Sequence, residues 1–105
     1  MVFQLGAPLL DACVLAVLAK NDAYGYVLSQ EVKKIVDISE STLYPVLRRL
    51  QKDDCLSVYD RAVSGRNRRY YALTHKGRGL FEEYRREWES FKTSIDTLLG
   101  GIENE

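Results

Sequence analysis

The chain has 105 residues and a formal net charge of zero, with 46% hydrophobic and 29% charged side chains. This length fits a single domain and leaves no room for a large appended catalytic module, and the composition is that of an ordinary folded protein, which excludes extensive disorder. Because there is no net charge, an electrostatic partner has to be found from the local distribution of charge.

The first predicted element is a helix over Ala7–Lys20. Pro8 suits its first turn, where the backbone N–H groups have no partner within the helix. Apolar residues cover almost its whole circumference, so we expect this helix to pack on two sides. One side would face the chain's own core, and the other, through Leu10 and Val14, would face a second copy of the chain.

The apolar part of this helix is too short to span a membrane. The longest run, residues 12–19, is closed by Asp11 and Lys20 and falls far below the roughly 20 residues that a bilayer requires. The first lysine follows this run, whereas a secretory signal begins with a basic segment. We therefore expect no membrane association and a cytoplasmic location.

Two more helices are predicted before any strand. The second begins near Gly25, and its apolar stripe is formed by Leu28, Val32 and Ile35. The third follows Ser39 or Ser41 as its N-cap, and its stripe has the spacing i, i+3, i+4, i+7. That stripe is formed by Leu43, Val46, Leu47 and Leu50. Pro45 predicts a kink in the third helix, since its nitrogen cannot donate to the carbonyl of Ser41.

The face of the third helix opposite its stripe is basic and rich in hydroxyl groups. At 100° per residue this face and its flanks hold Ser41, Thr42, Tyr44, Pro45, Arg48, Arg49 and Lys52. Hydroxyl and guanidinium groups bond base edges and phosphates in a major groove, which favours a DNA-contacting helix. A helix that carries charge only for solubility has a similar face, so this pattern alone leaves both interpretations open.

Residues 56–61 and 69–73 predict two strands of a hairpin, because they are rich in Val, Tyr and Leu. The loop between them contains Ser64, Gly65 and Asn67. Its arginines are Arg61, Arg66, Arg68 and Arg69, with no acidic residue between the first and the last. Arginine bonds phosphate oxygens at two atoms, so the tip, including Asn67, is expected to contact the DNA backbone or a narrow minor groove.

Three helices followed by a basic hairpin is the order of a winged helix-turn-helix, which predicts a mainly α (α+β) fold. Charge supports this interpretation over a merely solvated surface. Residues 40–79 hold nine basic and four acidic side chains, a balance of +5, whereas residues 80–105 hold three basic and seven acidic ones, a balance of −4. The basic part of the chain therefore coincides with the predicted DNA-binding elements.

The last predicted helix follows Thr74 as N-cap and runs to about Leu99, where Gly100 and Gly101 end it. Its apolar residues alternate at spacings of three and four, as in a heptad seam. The seam consists of Phe81, Tyr84, Trp88, Phe91, Ile95, Leu98 and Ile102. A seam of this length cannot be buried within one small domain, so we expect a twofold homodimer.

Aromatic residues pack less regularly than leucine, and a gap at the dimer axis would admit a small, flat apolar ligand stacked on Trp88. Simple packing of the aromatic side chains is the alternative.

No catalytic set is present: His75 is the only histidine, and there is no phosphate loop or G-x-S-x-G motif, so we expect no enzymatic activity, no metal and no cofactor. Cys13 and Cys55 are expected to be reduced and largely buried.

Four short stretches, taken in order, resemble the PadR family of bacterial transcriptional regulators. They are residues 9–18 with the Y-G-Y at 24–26, the S-E-S-T-L-Y-P at 39–45, the L-R-R-L at 47–50, and the R-R-Y-Y-A-L-T at 68–74 with Gly77. The resemblance is to the short type, with one winged helix-turn-helix and one C-terminal dimerisation helix. It implies a dimeric repressor of an inverted-repeat operator, released by a small molecule in some members.

The resemblance also implies particular DNA-contacting residues. On the third helix they are Ser39, Ser41, Thr42 and Tyr44, and on the wing they are Arg66, Arg68 and Arg69. The chain departs from the family pattern at Asp54, where glycine is usual, and at Asn67, where proline is frequent. Pro45 belongs to the family pattern.

These observations predict one compact unit in which residues 1–73 bind DNA and residues 74–105 form the dimerisation helix. The alternative hypothesis is a dimeric module on the same scaffold that binds a small molecule or a protein through the Trp88 region and binds no operator.

Overall fold

The computed structural model describes residues 7–100. Its helices are α1 (Ala7–Lys20), α2 (Gly25–Lys33), α3 (Glu40–Lys52) and α4 (His75–Gly100), and its strands are β1 (Ala23–Tyr24), β2 (Leu56–Val63) and β3 (Arg66–Leu73). The strands form an antiparallel sheet in the order β1-β3-β2. The predicted mainly α winged helix-turn-helix fold is confirmed. Ile102 of the predicted seam lies outside the described residues.

The core lies where α1, α2 and α3 meet the sheet. Its largest fully buried side chains are Leu15, Leu28, Leu43, Leu47, Leu50, Val14 and Val32. Each such side chain contributes about 1.5–3 kcal/mol by leaving water. The predicted stripe of α3 is confirmed, because all four of its members are buried. The stripe of α2 is wrong at Ile35, which lies beyond the end of the helix and is exposed.

The side of α1 that was expected to face a second copy of the chain faces the core of the protomer instead. Val14 is 0% exposed and Leu10 is 8% exposed, and both belong to the core of the protomer. Their assignment to a dimer interface is therefore wrong, because neither has surface left for a second copy. The periodicity of α1 could not show this, since apolar residues surround the whole helix.

The hairpin is longer and tighter than predicted. Its strands are paired in register from Leu56↔Leu73 to Val63↔Arg66, so Asn67 lies within β3 rather than in the loop. Only two residues, Ser64 with φ 53° and Gly65 with φ 78°, connect them. Two successive residues with positive φ give the turn whose twist matches that of paired strands.

Asp54 closes α3 in the left-handed region, with φ 62°. Cys55 N–H donates to the carbonyl of Leu50 at 2.9 Å, and Asp54 N–H donates to that of Gln51 at 3.0 Å. This is a Schellman ending, in which glycine is the usual residue at the position of Asp54. The departure at Asp54 therefore keeps the backbone geometry of a glycine C-cap.

The end of α3 is held against the start of α4. The Thr74 hydroxyl donates to the carbonyl of Asp54 at 2.6 Å and accepts from the N–H of Gly77 at 2.9 Å, as an N-cap does. Gly77 is buried, and a Cβ there would lie 2.0 Å from the carbonyl oxygen of Cys55. The absence of a side chain at Gly77 lets α4 approach the backbone that follows α3.

No helix within residues 7–100 combines the length and the hydropathy needed to cross a membrane.

Candidate nucleic-acid interface

The exposed face of α3 presents its basic side chains to solvent. Arg48 and Lys52 are exposed, and none of the ion pairs within residues 7–100 involves either of them. Pro45 is exposed on the same face, and α3 continues through it without interruption. The geometry leaves two cations on one helix face with no carboxylate to neutralise them, which is what a phosphate or a guanine edge requires.

The hydroxyl groups at the start of α3 lie together. Ser39 is the N-cap by backbone position, but its side chain makes no capping bond to the helix. Instead, its Oγ lies 2.8 Å from Oγ of Ser41 and 3.2 Å from Oγ1 of Thr42. All three residues are exposed, so the cluster can donate and accept hydrogen bonds at the surface.

Tyr44 differs from the other predicted DNA-contacting residues at and within α3 because it is half-buried. Its ring packs against the hydrophobic core, and its hydroxyl oxygen would lie 3.3 Å from a Cβ added at Gly25. Gly25 is the first residue of α2. Tyr44 thus joins α3 to the start of α2, and Gly25 makes room for its ring.

Arg49, which is also predicted to contact DNA, is bonded to α1. Its Nη2 donates to Oδ1 of Asp11 in α1 at 2.6 Å. This hydrogen bond raises the pKa of Arg49 above its ordinary value. Sequence reasoning missed Asp11, although an isolated carboxylate inside an apolar helix is a group that needs a buried partner.

Of the five wing residues predicted to contact DNA, four are exposed to solvent and one is half-buried. Arg61, Arg66, Asn67 and Arg69 are exposed. Arg68 is half-buried, with its guanidinium carbon 4.6 Å from the centre of the Tyr24 ring. None of the ion pairs in the described part of the chain includes a wing arginine. Arg68 therefore anchors the wing to β1, whereas Arg66 at the turn remains free.

A row of tyrosines crosses the face of the sheet that points away from the core. Tyr59 is stacked on Tyr70 with ring centres 5.5 Å apart, and Tyr24 meets Tyr70 edge-on at the same separation. The hydroxyl of Tyr59 donates to Asp22 at 2.7 Å, which raises the pKa of Tyr59. The place of Tyr24 in this row was missed because β1 has only two residues and no strand pattern.

A groove of about 600 Å³ runs between α1 and α4, which contact each other beneath it. Its walls include Pro8, Leu9, Ala12, Cys13 and Ala16 from α1, and Phe81, Tyr84, Trp88 and Phe91 from α4. Phe81 and Tyr84 are partly buried against the core, whereas Trp88 is 42% exposed and Phe91 is 49% exposed. Further along α4, Ile95 is half-buried and Leu98 is exposed. The predicted seam thus begins inside the protomer and continues onto an open apolar surface.

Both cysteines are free thiols, as expected. Cys55 is buried and Cys13 is half-buried in the groove wall. Burial raises the pKa of each thiol above its ordinary value. The described residues include no cluster of three or more His, Cys, Asp or Glu side chains that could hold a metal ion.

Residues 14–83 match the Transcriptional regulator PadR-like family. The chain belongs to this family. It is similar to the Transcriptional regulator Rv3488 of Mycobacterium tuberculosis, with 39% identity over 79% of this chain and 76% of that protein. The PadR-like resemblance inferred from the four stretches is confirmed.

Solved structures share this fold, and one of them is named as a PadR-like regulator. The protein smu.1704 from Streptococcus mutans has a TM-score of 0.91 and 40% identity, covering 96% of this chain and 95% of that one. A PadR-like transcriptional regulator from Bacillus cereus has a TM-score of 0.81 and 34% identity, covering 87% and 91%. The protein is therefore a transcriptional regulator of the PadR family.

Proposed function

We propose that this PadR-like regulator binds double-stranded DNA as a homodimer and represses transcription at an inverted-repeat operator. The α3 helices of two copies would enter successive major grooves about one helical turn apart, while the wings contact flanking phosphates. The observation that carries the proposal is a set of exposed basic side chains that form no ion pair with an acidic group among residues 7–100, namely Arg48, Lys52, Arg61, Arg66 and Arg69. Residues 1–73 would bind DNA and residues 74–105 would dimerise, in the cytoplasm.

Arg48 is the residue of α3 best placed to contact a base edge, because it is exposed on the face opposite the buried stripe. The Arg48→Ala variant is expected to lose about tenfold in operator affinity and to discriminate less at one base position of each half-site, since an arginine bonded to guanine at two atoms contributes about 1–3 kcal/mol. Affinities for the operator and for its single-base variants measure both effects.

Gln51→Ala is the matched control for Arg48→Ala, because Gln51 is an exposed, uncharged neighbour on the same helix. Its operator affinity should stay within about twofold, as is usual for a surface change away from special features. A uniform loss by Arg48→Ala on every sequence, with a lower salt dependence, would instead assign Arg48 to a phosphate.

Arg66 lies directly after the turn of the wing and is expected to contact a phosphate. The Arg66→Ala variant should weaken binding to all DNA sequences alike and lower the slope of log K against log salt by about 0.9, because one fewer counterion is released. Titrations at four salt concentrations give the slope. Arg68→Ala is the comparison: its guanidinium is committed to Tyr24, so the loss should appear in thermal stability rather than in the slope.

The open apolar surface on α4 supports the homodimer. Trp88 and Phe91 contact each other, with ring centres 6.0 Å apart, yet both remain about half exposed. Contiguous apolar patches of this kind mark interaction surfaces in soluble proteins. A second copy carries the same apolar patch on its own α4. Packing of the two α4 helices about a twofold axis would therefore bury the patch of each copy against the other.

The groove beside Trp88 supports a small apolar effector as a second element of function. Its volume of about 600 Å³ suits a drug-sized molecule, and its walls are mainly apolar with one indole to stack on. Occupation of the groove would release the operator. A module that binds such a ligand and no operator is the competing hypothesis.

Selection of bound fragments from random duplex DNA tests the proposal. Recovery of an inverted repeat with half-sites one helical turn apart supports both operator binding and the dimer. No enrichment of any sequence, together with quenching of Trp88 fluorescence by planar apolar compounds, supports the competing hypothesis and contradicts operator binding.

A further inference from the structure

Asp11 is a carboxylate buried in the middle of the protomer. It lies in α1, next to the core residue Leu10, and is 5% exposed. Burying an ionised carboxylate is costly unless it is paired and hydrogen-bonded. Its partners are therefore part of what determines how the helices around it are placed.

Two groups from different helices bind this carboxylate. Nη2 of Arg49 in α3 donates to Oδ1 at 2.6 Å, and the hydroxyl of Tyr84 in α4 donates to Oδ2 at 3.4 Å. Each oxygen thus faces a separate helix. Asp11 is the one contact point, among the side-chain hydrogen bonds described within residues 7–100, that joins α1, α3 and α4.

Arg49 and Arg48 are neighbours in sequence but have different surroundings. Arg48 is exposed on the basic face of α3, whereas Arg49 bends toward α1 with its side chain 46% exposed and its guanidinium bonded to Asp11. A guanidinium engaged with a buried carboxylate is costly to withdraw, because doing so leaves the carboxylate unpaired. A contact between DNA and the bonded Nη2 would require that withdrawal, so the first role of this group is to hold α3 against α1.

Resting on the proposed function, we propose that Asp11 is a positioning residue for operator binding. Through Arg49 it fixes α3 against α1, so that the hydroxyl cluster and Arg48 are presented at the correct angle to the major groove, and Arg49 itself does not contact DNA. Tyr84 extends the same network to the groove wall between α1 and α4. The position of α3 and the contents of that groove are thereby coupled.

The direction in which Asp11→Asn changes DNA affinity distinguishes a positioning role of Asp11 from direct contact of Arg49 with DNA. The Asp11→Asn variant keeps the side-chain shape but removes the charge that holds Arg49. If Arg49 were a DNA contact, releasing it would add an available cation and strengthen binding to all DNA. If Asp11 positions α3, operator affinity falls, by about tenfold, while affinity for random-sequence DNA and the salt slope stay near the wild-type values.

The experiment measures operator and random-sequence affinities of the full chain by fluorescence anisotropy at several salt concentrations. Asp37→Asn is the matched control, because Asp37 is exposed, lies outside the network and gives the same change of charge. A fall in the ratio of operator to random-sequence affinity for Asp11→Asn alone supports positioning. An unchanged or higher ratio overturns it.

Tyr84→Phe is a second test of the same proposal, and it applies even where Asp11→Asn unfolds below the assay temperature. It removes one hydroxyl and leaves the aromatic ring in the groove wall, so the fold and the dimer mass should be retained. Its ratio of operator to random-sequence affinity should fall by about twofold to threefold, in line with the loss of one long hydrogen bond of 3.4 Å, and no fall overturns the coupling. Wild-type protein that selects no operator would contradict the proposed function itself, which is a separate outcome.

Discussion

The Phe91→Glu variant is expected to be a monomer and to bind an inverted-repeat operator more than about 100-fold more weakly than the wild type, because two linked half-site contacts become one. Phe91 is 49% exposed in the protomer and lies beside Trp88 at the open end of the groove. A carboxylate there would be buried without a partner in the proposed dimer but solvated in the monomer. The equilibrium therefore shifts to single chains.

Sedimentation equilibrium over a hundredfold range of concentration measures the mass, and anisotropy on a half-site and a full-site duplex measures the affinity. Thr93→Glu carries the same charge change on an exposed residue of α4 about 200° away around the helix and should remain dimeric. Its failure to dimerise would show that charge on α4, rather than the apolar patch, controls association. A Phe91→Glu variant that stays dimeric would place the interface elsewhere.

The Gly77→Ala variant is expected to lose about 3 kcal/mol of unfolding free energy, near the upper end of the cost of overpacking a well-packed site. The new methyl group would lie 2.0 Å from the carbonyl oxygen of Cys55 and 2.9 Å from a methyl carbon of Leu73. The first of these atoms belongs to the backbone and cannot rotate away. The start of α4 must then move from the end of α3, and the capping contacts of Thr74 are strained.

Gly79→Ala is the control for this prediction, because a Cβ at Gly79 has no neighbour within 4 Å. In the same helix, and with the same chemical change, it should raise the unfolding free energy by about 0.5–1 kcal/mol through helix propensity alone. Urea unfolding at one fixed protein concentration, followed by circular dichroism, compares the two. Equal effects of the two variants would mean that the close approach at Gly77 does not limit stability.

Local patterns were sufficient for most of the fold. The spacing of Leu43, Val46, Leu47 and Leu50 determined which face of α3 is buried, because an amphipathic helix has one apolar side. Thr74 was correctly predicted as the N-cap of α4 from its side chain and position. Strand β1 could not be predicted, because a two-residue strand is defined only by its pairing with Tyr70 and Tyr71 across the sheet.

The candidate site was less accessible to sequence reasoning, because adjacent arginines look alike. Arg48 and Arg49 both lie on or beside the face of α3 opposite its buried stripe. They differ because Arg49 is bonded to Asp11, a residue 38 positions earlier in the sequence. For α1 the failure has the opposite cause. Its apolar residues lie all around the helix, so no periodicity distinguished buried Val14 from groove-lining Cys13.

The wing has a fixed reach. Its strands are paired residue by residue up to the turn, and eight residues at about 3.3 Å each span roughly 26 Å. Because the two strands are paired throughout, the wing is a rigid hairpin of constant length. A rigid hairpin loses little conformational entropy when its tip contacts a phosphate. In the proposed complex, the distance from the base of the wing to the phosphate that Arg66 contacts would therefore be set by the number of residues in β2 and β3.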